Sequence, residues 1–138
     1  MRKFFVFLFA ALLSVAAVNT SAETLRNASG SQIGSIDNSG YVRNSSGSQI
    51  GKIDSDGTIR NGSGSHIGKI DSDGYFYNGS GSRIGRIDSD GYVYNGSGSR
   101  IGRVESDGTV RNSSGSSIGQ ARNVPRRWAA VYFFFFFN

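Results

Sequence analysis

The chain has no cysteine, and its 138 residues include one proline, one histidine, one methionine and one tryptophan. Without cysteine there is no disulfide, no thiolate metal ligand and no thiol nucleophile. A Ser-His-Asp arrangement would rest on His66 alone, and the many serines lie in turn-like stretches with no base beside them. Repeats equivalent to the one carrying His66 place Gln, Arg or Ser there, so it reads as a variable surface position. Long runs of one charge are missing too: acids and bases alternate, and no basic run exceeds Arg126-Arg127. That argues against a nucleic-acid surface. Large aliphatic residues are sparse against 20 glycines, a balance that on composition alone points to disorder.

What is present begins with a short basic head, Met1-Arg2-Lys3, followed by an uncharged stretch from Phe4 to Val18 and small residues up to Ala22. This is the pattern of a secretory signal peptide over residues 1–22, with the exported chain starting at Glu23. The chain is then expected in the periplasm, secreted or at the cell surface. The apolar stretch is short for an anchor, so no transmembrane segment is expected after cleavage. Removing Arg2 and Lys3 takes the net charge from +5 to +3.

Order along the chain outweighs composition and points to a folded domain. From Thr24 it reads as 17-residue units, 24–40, 41–57, 58–74, 75–91 and 92–108, then a partial unit 109–122 and a tail 123–138. A fixed period marks a stacked or ring-like repeat fold, here one domain over 23–138. In the third unit Thr58-Ile59-Arg60 alternates like a half-buried strand, and Asn61-Gly62-Ser63-Gly64 turns the chain. Ile67 and Ile70 lie three apart, on opposite faces of a regular strand. A bulge at Gly68-Lys69 returns both to one face.

The stretch Asp71-Ser72-Asp73-Gly74 allows two readings. Calcium takes six to eight oxygens, and no third carboxylate follows Gly74 until Asp88. The versions Asp37-Asn38-Ser39-Gly40 and Glu105-Ser106-Asp107-Gly108 suit a hairpin turn better than a chelate. The alternative keeps weak calcium at Asp54, Asp56, Asp71, Asp73, Asp88 and Asp90, in a calcium-stabilised adhesion or carbohydrate-binding module. The preferred reading has no metal and no cofactor. Five hairpins close through this turn, leaving Thr24-Leu25-Arg26 and Ser116 to Gln120 as a strand pair split between the ends. That pair either closes a ring or caps an open stack.

Together the hairpins supply apolar tiers: Val42, Ile59, Phe76, Val93 and Val110; Ile33, Ile50, Ile67, Ile84 and Ile101; and Ile36, Ile53, Ile70, Ile87 and Val104. The tail, with Phe133 to Phe137 in a row, is expected as one extended strand plugging the core. Its rival role is a segment that adheres to a membrane surface or partner. Asn-x-Ser at Asn27, Asn44, Asn61, Asn78, Asn95 and Asn112 matches a glycosylation acceptor but reads as turn residues that tolerate left-handed geometry.

The candidate ligand-binding residues are Tyr75, Tyr77, Tyr92 and Tyr94 with Arg83, Arg86, Arg100 and Arg103, two consecutive units with aromatic and guanidinium groups on the outward face. They suit a glycan or an anionic envelope polymer, and equally suit a ladder that stabilises an exposed sheet.

The repeated N-x-S-G-S-x-I-G-x-I-D-S-D-G unit, five hairpin copies, the signal peptide and the closing V-P-R-R-W-A-A-V-Y-F-F-F-F-F resemble the bacterial five-fold β-flower proteins. The resemblance covers the whole exported chain and implies an all-β five-fold ring or stack of hairpins. It carries over no ligand or catalytic residue. The reading is thus an exported, non-enzymatic binding or structural module of the envelope, with no catalytic residues.

Overall fold

A computed structural model describes residues 23–137; the signal peptide expected over 1–22 lies outside the described residues. Twelve strands follow one another: β1 (Glu23–Asn27), β2 (Gln32–Ile36), β3 (Tyr41–Asn44), β4 (Gln49–Ile53), β5 (Thr58–Asn61), β6 (His66–Ile70), β7 (Tyr75–Asn78), β8 (Arg83–Ile87), β9 (Tyr92–Asn95), β10 (Arg100–Val104), β11 (Thr109–Asn112) and β12 (Ser117–Gln120). Each pairs antiparallel with its neighbour in sequence, and β1 pairs with β12, so the sheet closes on itself within one chain. At that seam Asn27 faces Gly119 and Arg26 faces Gln120. The same pairing joins β2 to β3, where Gly34 faces Asn44 and Ser35 faces Arg43. The end strands therefore close a ring rather than capping a stack, and no sheet edge is left unpaired among the described residues.

Two turns alternate around the ring, one at each rim. At the first, the Oδ1 atom of Asn61 accepts from the Ser63 and Ser65 amides at 3.1 and 3.0 Å and from the Ser63 hydroxyl at 2.8 Å. The left-handed position belongs to Gly64, at φ +91. The asparagines are thus turn residues, but through their side-chain oxygen rather than through the left-handed backbone expected of them. At the other rim, Gly74 takes φ +91, and the Asp71 carboxylate accepts from the Asp73 and Tyr75 amides at 2.9 and 3.0 Å. There are six asparagine turns and five aspartate turns among the described residues; at the sixth aspartate position β12 leaves the ring and runs into the tail.

A bulge does resolve the isoleucine spacing, but at a different residue. Ile59 faces Gly68 and Arg60 faces His66, so the extra residue is Ile67. Gly68 and Ile70 consequently point inward while Ile67 is only half-buried and Lys69 is exposed. The same shift recurs in each unit, so the tier Ile33, Ile50, Ile67, Ile84 and Ile101 packs against the core from its margin instead of lying within it. The other two tiers are buried, and the end strands complete each to six, with Leu25 joining one and Ala121 the other.

The inward glycines explain the tail. Residues Arg126–Ala130 form a short helix, α1, and Val131–Phe135 a π-helical turn that ends with the Phe136 amide donating to the Val131 carbonyl at 2.9 Å. The tail packs into the core as expected, yet its backbone is helical and not an extended strand. The reason is geometric: a strand sends side chains to two opposite sides, whereas this plug must serve a full circle. The Tyr132 hydroxyl lies against Gly34, and the rings of Phe133, Phe134, Phe135, Phe136 and Phe137 lie against Gly119, Gly102, Gly85, Gly68 and Gly51. Six consecutive aromatic residues thus fill six glycine slots, taken in order around the ring.

Candidate functional site

Successive outward residues of four neighbouring strands build the candidate site. Tyr75 and Tyr77 on β7, Arg83 and Arg86 on β8, Tyr92 and Tyr94 on β9, and Arg100 and Arg103 on β10 alternate with buried Phe76, Gly85, Val93 and Gly102. Strand alternation puts Tyr75, Tyr77, Arg86, Tyr92, Tyr94 and Arg103 on one outer wall, and the bulges at Ile84 and Ile101 turn Arg83 and Arg100 to the same side although inward Gly85 and Gly102 lie only two residues away. Cross-strand register then sets the contacts, with Tyr75 opposite Arg86 and Arg86 opposite Tyr94.

The guanidinium of Arg83 lies 4.0 Å from the centre of the Tyr75 ring, and that of Arg86 lies 4.2 Å from the Tyr94 ring. Arg100 and Arg103 both approach the Tyr92 ring, at 4.2 and 4.6 Å. These are cation–π distances. The phenol of Tyr77 donates to Asp71 Oδ2 at 3.0 Å, and that of Tyr94 to Asp88 Oδ2 at 3.2 Å. Of the four arginines, Arg103 has a carboxylate near it, Glu105 at 3.7 Å. Among the described residues Arg83, Arg86 and Arg100 have no such ion pair.

The structure also adds residues that the repeat pattern does not single out. Arg126 donates to the Ser89 carbonyl at 3.0 Å, and Arg127 to the Ser72 carbonyl at 2.8 Å. These contacts hold the tail at its entry to two adjacent aspartate turns. Between tail and turns lies an open groove of about 600 Å³, lined by Tyr75, Arg86, Asp73, Asp88, Arg126 and Arg127 among others. The signal for these two arginines is their place directly before the plug, where the chain has to cross the aspartate rim.

Four of the six aspartates singled out for calcium, Asp54, Asp56, Asp71 and Asp88, are engaged at the turns and the strands beside them. Asp88 Oδ1 accepts from the Asp90 and Tyr92 amides, both at 3.0 Å, and Asp54 Oδ2 accepts from Arg60 Nε at 2.9 Å. Asp56 accepts from the Thr58 amide at 3.0 Å, which holds its carboxyl below the ordinary aspartate value. For Asp71, partial burial pushes the carboxyl up, but the Tyr75 amide and the Tyr77 phenol outweigh it and the net direction is down. Asp73 and Asp90 are exposed at the rim. Among the described residues no three Asp, Glu or His side chains converge. His66 is exposed at the start of β6, beside Lys69 and Tyr77 in a shallow hollow.

Ring, slots and plug together define a class: a closed circle of short β-hairpins held from inside by an aromatic tail. The chain belongs to the 5-fold beta-flower protein family, whose model matches residues 22–137. The five aspartate-turn hairpins carry the repeat, and the β1–β12 seam completes the circle. No curated protein and no solved structure matches the chain.

Proposed function

We propose that the chain is an exported, non-enzymatic binding module of the bacterial envelope, and that the wall from β7 to β10 holds an anionic glycan or envelope polymer. The observation that supports this is the set of guanidiniums stacked on tyrosines without ion-pair partners at Arg83, Arg86 and Arg100 among the described residues. A purely stabilising ladder is better served by the neutralised pairs seen elsewhere, such as Arg60 with Asp54 and Arg111 with Glu105. Tyrosine faces suit sugar rings and fixed guanidiniums suit carboxylates or phosphates. The rigid ring presents both without an ordering cost at binding.

The test uses a polyuronate such as alginate against neutral dextran of similar length. The unaltered protein is expected to be retained on alginate in a salt-sensitive way and to pass over dextran. Substituting Tyr75, Tyr77, Tyr92 and Tyr94 together by Ser is expected to abolish retention while the circular dichroism spectrum stays that of the ring. Retention unchanged by this substitution, or absent from the start, refutes the wall as a binding surface.

A further inference from the structure

The two rims of the ring differ in chemistry. All ten acidic residues fall at the aspartate rim or the strand ends next to it: Glu23, Asp37, the pairs in turns 54–57, 71–74 and 88–91, Glu105 and Asp107. The asparagine rim, built from residues 27–32, 44–49, 61–66, 78–83, 95–100 and 112–117, contains no carboxylate. Arg83 and Arg100 lie within it, and four more arginines reach up to it. Arg26 Nη1 donates to the Gly30 carbonyl at 2.9 Å, Arg43 to Gly47 at 3.4 Å, Arg60 to Gly64 at 3.1 Å and Arg111 to Gly115 at 3.0 Å. Arg60 and Arg111 also pair through Nε with Asp54 and Glu105, whereas among the described residues Arg26 and Arg43 have no carboxylate partner and keep further donors free after one such bond.

Inside that rim the ring is apolar and incompletely covered. The plug enters from the aspartate side, where Arg126 and Arg127 hold it, and its buried part is Ala129 to Phe133. Beyond it Phe134 to Phe137 are only half-buried, as are the six bulge residues Ile33, Ile50, Ile67, Ile84, Ile101 and Ile118. The bulge isoleucines lie on the asparagine side of the buried tiers, each next to the inward glycine that a phenylalanine ring covers, so the two half-buried sets adjoin at one mouth.

We infer that this mouth is a docking surface for an anionic lipid bilayer, with the ring standing on its asparagine rim. Charge chooses this occupant. Cationic groups around an apolar centre match lipid phosphates above acyl chains, and the ten carboxylates are kept at the far rim, where they meet no anionic surface. Short Ser, Gly and Asn turn tips leave the centre free to approach the headgroup layer.

The absence of cysteine permits an orientation-specific test. Ser45→Cys places a label on an asparagine turn and Ser55→Cys on an aspartate turn, both at exposed positions. Each labelled protein is mixed with phosphatidylcholine vesicles, with and without phosphatidylglycerol, and challenged with a water-soluble quencher. With phosphatidylglycerol present, the label at 45 is expected to become protected and the label at 55 to stay accessible. Replacing Arg26 and Arg43, the two without a carboxylate partner, by Gln is expected to weaken vesicle partitioning about tenfold, as expected for loss of two surface charges, while alginate retention by the tyrosine wall persists. The inference is overturned by equal protection of both labels, by partitioning that ignores phosphatidylglycerol, by no partitioning, or by a lipid-independent dimer that protects position 45. Alginate retention reads the wall separately, so the two proposals fail independently.

Discussion

An inward glycine has no side chain to offer the core, and here it is the absence that packs. A Cβ on Gly85 would lie 2.5 Å from Phe135 Cζ and within hard contact of the Tyr94 carbonyl, whereas one on Gly79 meets nothing closer than 3.6 Å. The first position has ring and backbone on two sides, so neither neighbour can give cheaply. Overpacking of this kind costs roughly 1–3 kcal/mol. Gly85→Ala is therefore expected to lower the urea midpoint clearly, while Gly79→Ala leaves it unchanged or slightly raised through a stiffer unfolded chain. Equal effects at the two sites would show that the glycines serve backbone conformation and not the plug. This residue-scale logic was only partly legible in the sequence. Two isoleucines three apart require a bulge, but the letters do not say whether glycine or isoleucine is the extra residue. The answer depends on which of them the aromatic tail excludes from the interior.

At the scale of elements, the strands and turns were readable because each unit repeats the same local instructions. Asp-Ser-Asp-Gly and Asn-x-Ser-Gly mark the turns, and apolar residues alternate with polar ones between them. The tail was readable as a plug and not in its conformation, since five identical phenylalanines have no period from which strand or helix could be told. Helical geometry wins because successive side chains must fan around an axis to reach different hairpins. Phe133 is the most buried of the five, 7% exposed, against Gly119 on β12. Phe133→Ala is expected to cost about 3 kcal/mol by the usual measure of large-to-small core changes. Phe137→Ala, at the half-buried end, should cost less, and equilibrium denaturation of both variants checks the order. Removing residues 133–137 altogether is expected to leave an unfolded or molten chain. A fully folded ring after that deletion would mean the hairpins close without the tail.

At the scale of the whole molecule, ring size and tail length are matched counts. Each unit contributes one slot, and each aromatic from Tyr132 to Phe137 fills one, with Phe136 serving Gly68 and Phe137 serving Gly51. Excising residues 58–74 removes β5, β6 and the slot at Gly68, and it joins two equivalent turn ends, so strand register can be kept. The shortened ring would then hold five slots against six aromatics. Deleting one phenylalanine as well restores the match. Because the run is uniform, the remaining chain still presents Phe to Gly85 and then Phe to Gly51. The chain lacking both the unit and one phenylalanine is therefore expected to melt higher than the chain lacking the unit alone. In the full-length ring, deleting one phenylalanine should instead lower the melting temperature. This reversal of sign distinguishes a counted fit from a merely greasy centre, which would lose stability with every phenylalanine removed, whatever the number of hairpins. Thermal denaturation of the four proteins forms a double-mutant cycle. A coupling near zero would refute the one-ring-per-slot account, and a large one would make the tail the measure of how many hairpins the circle holds.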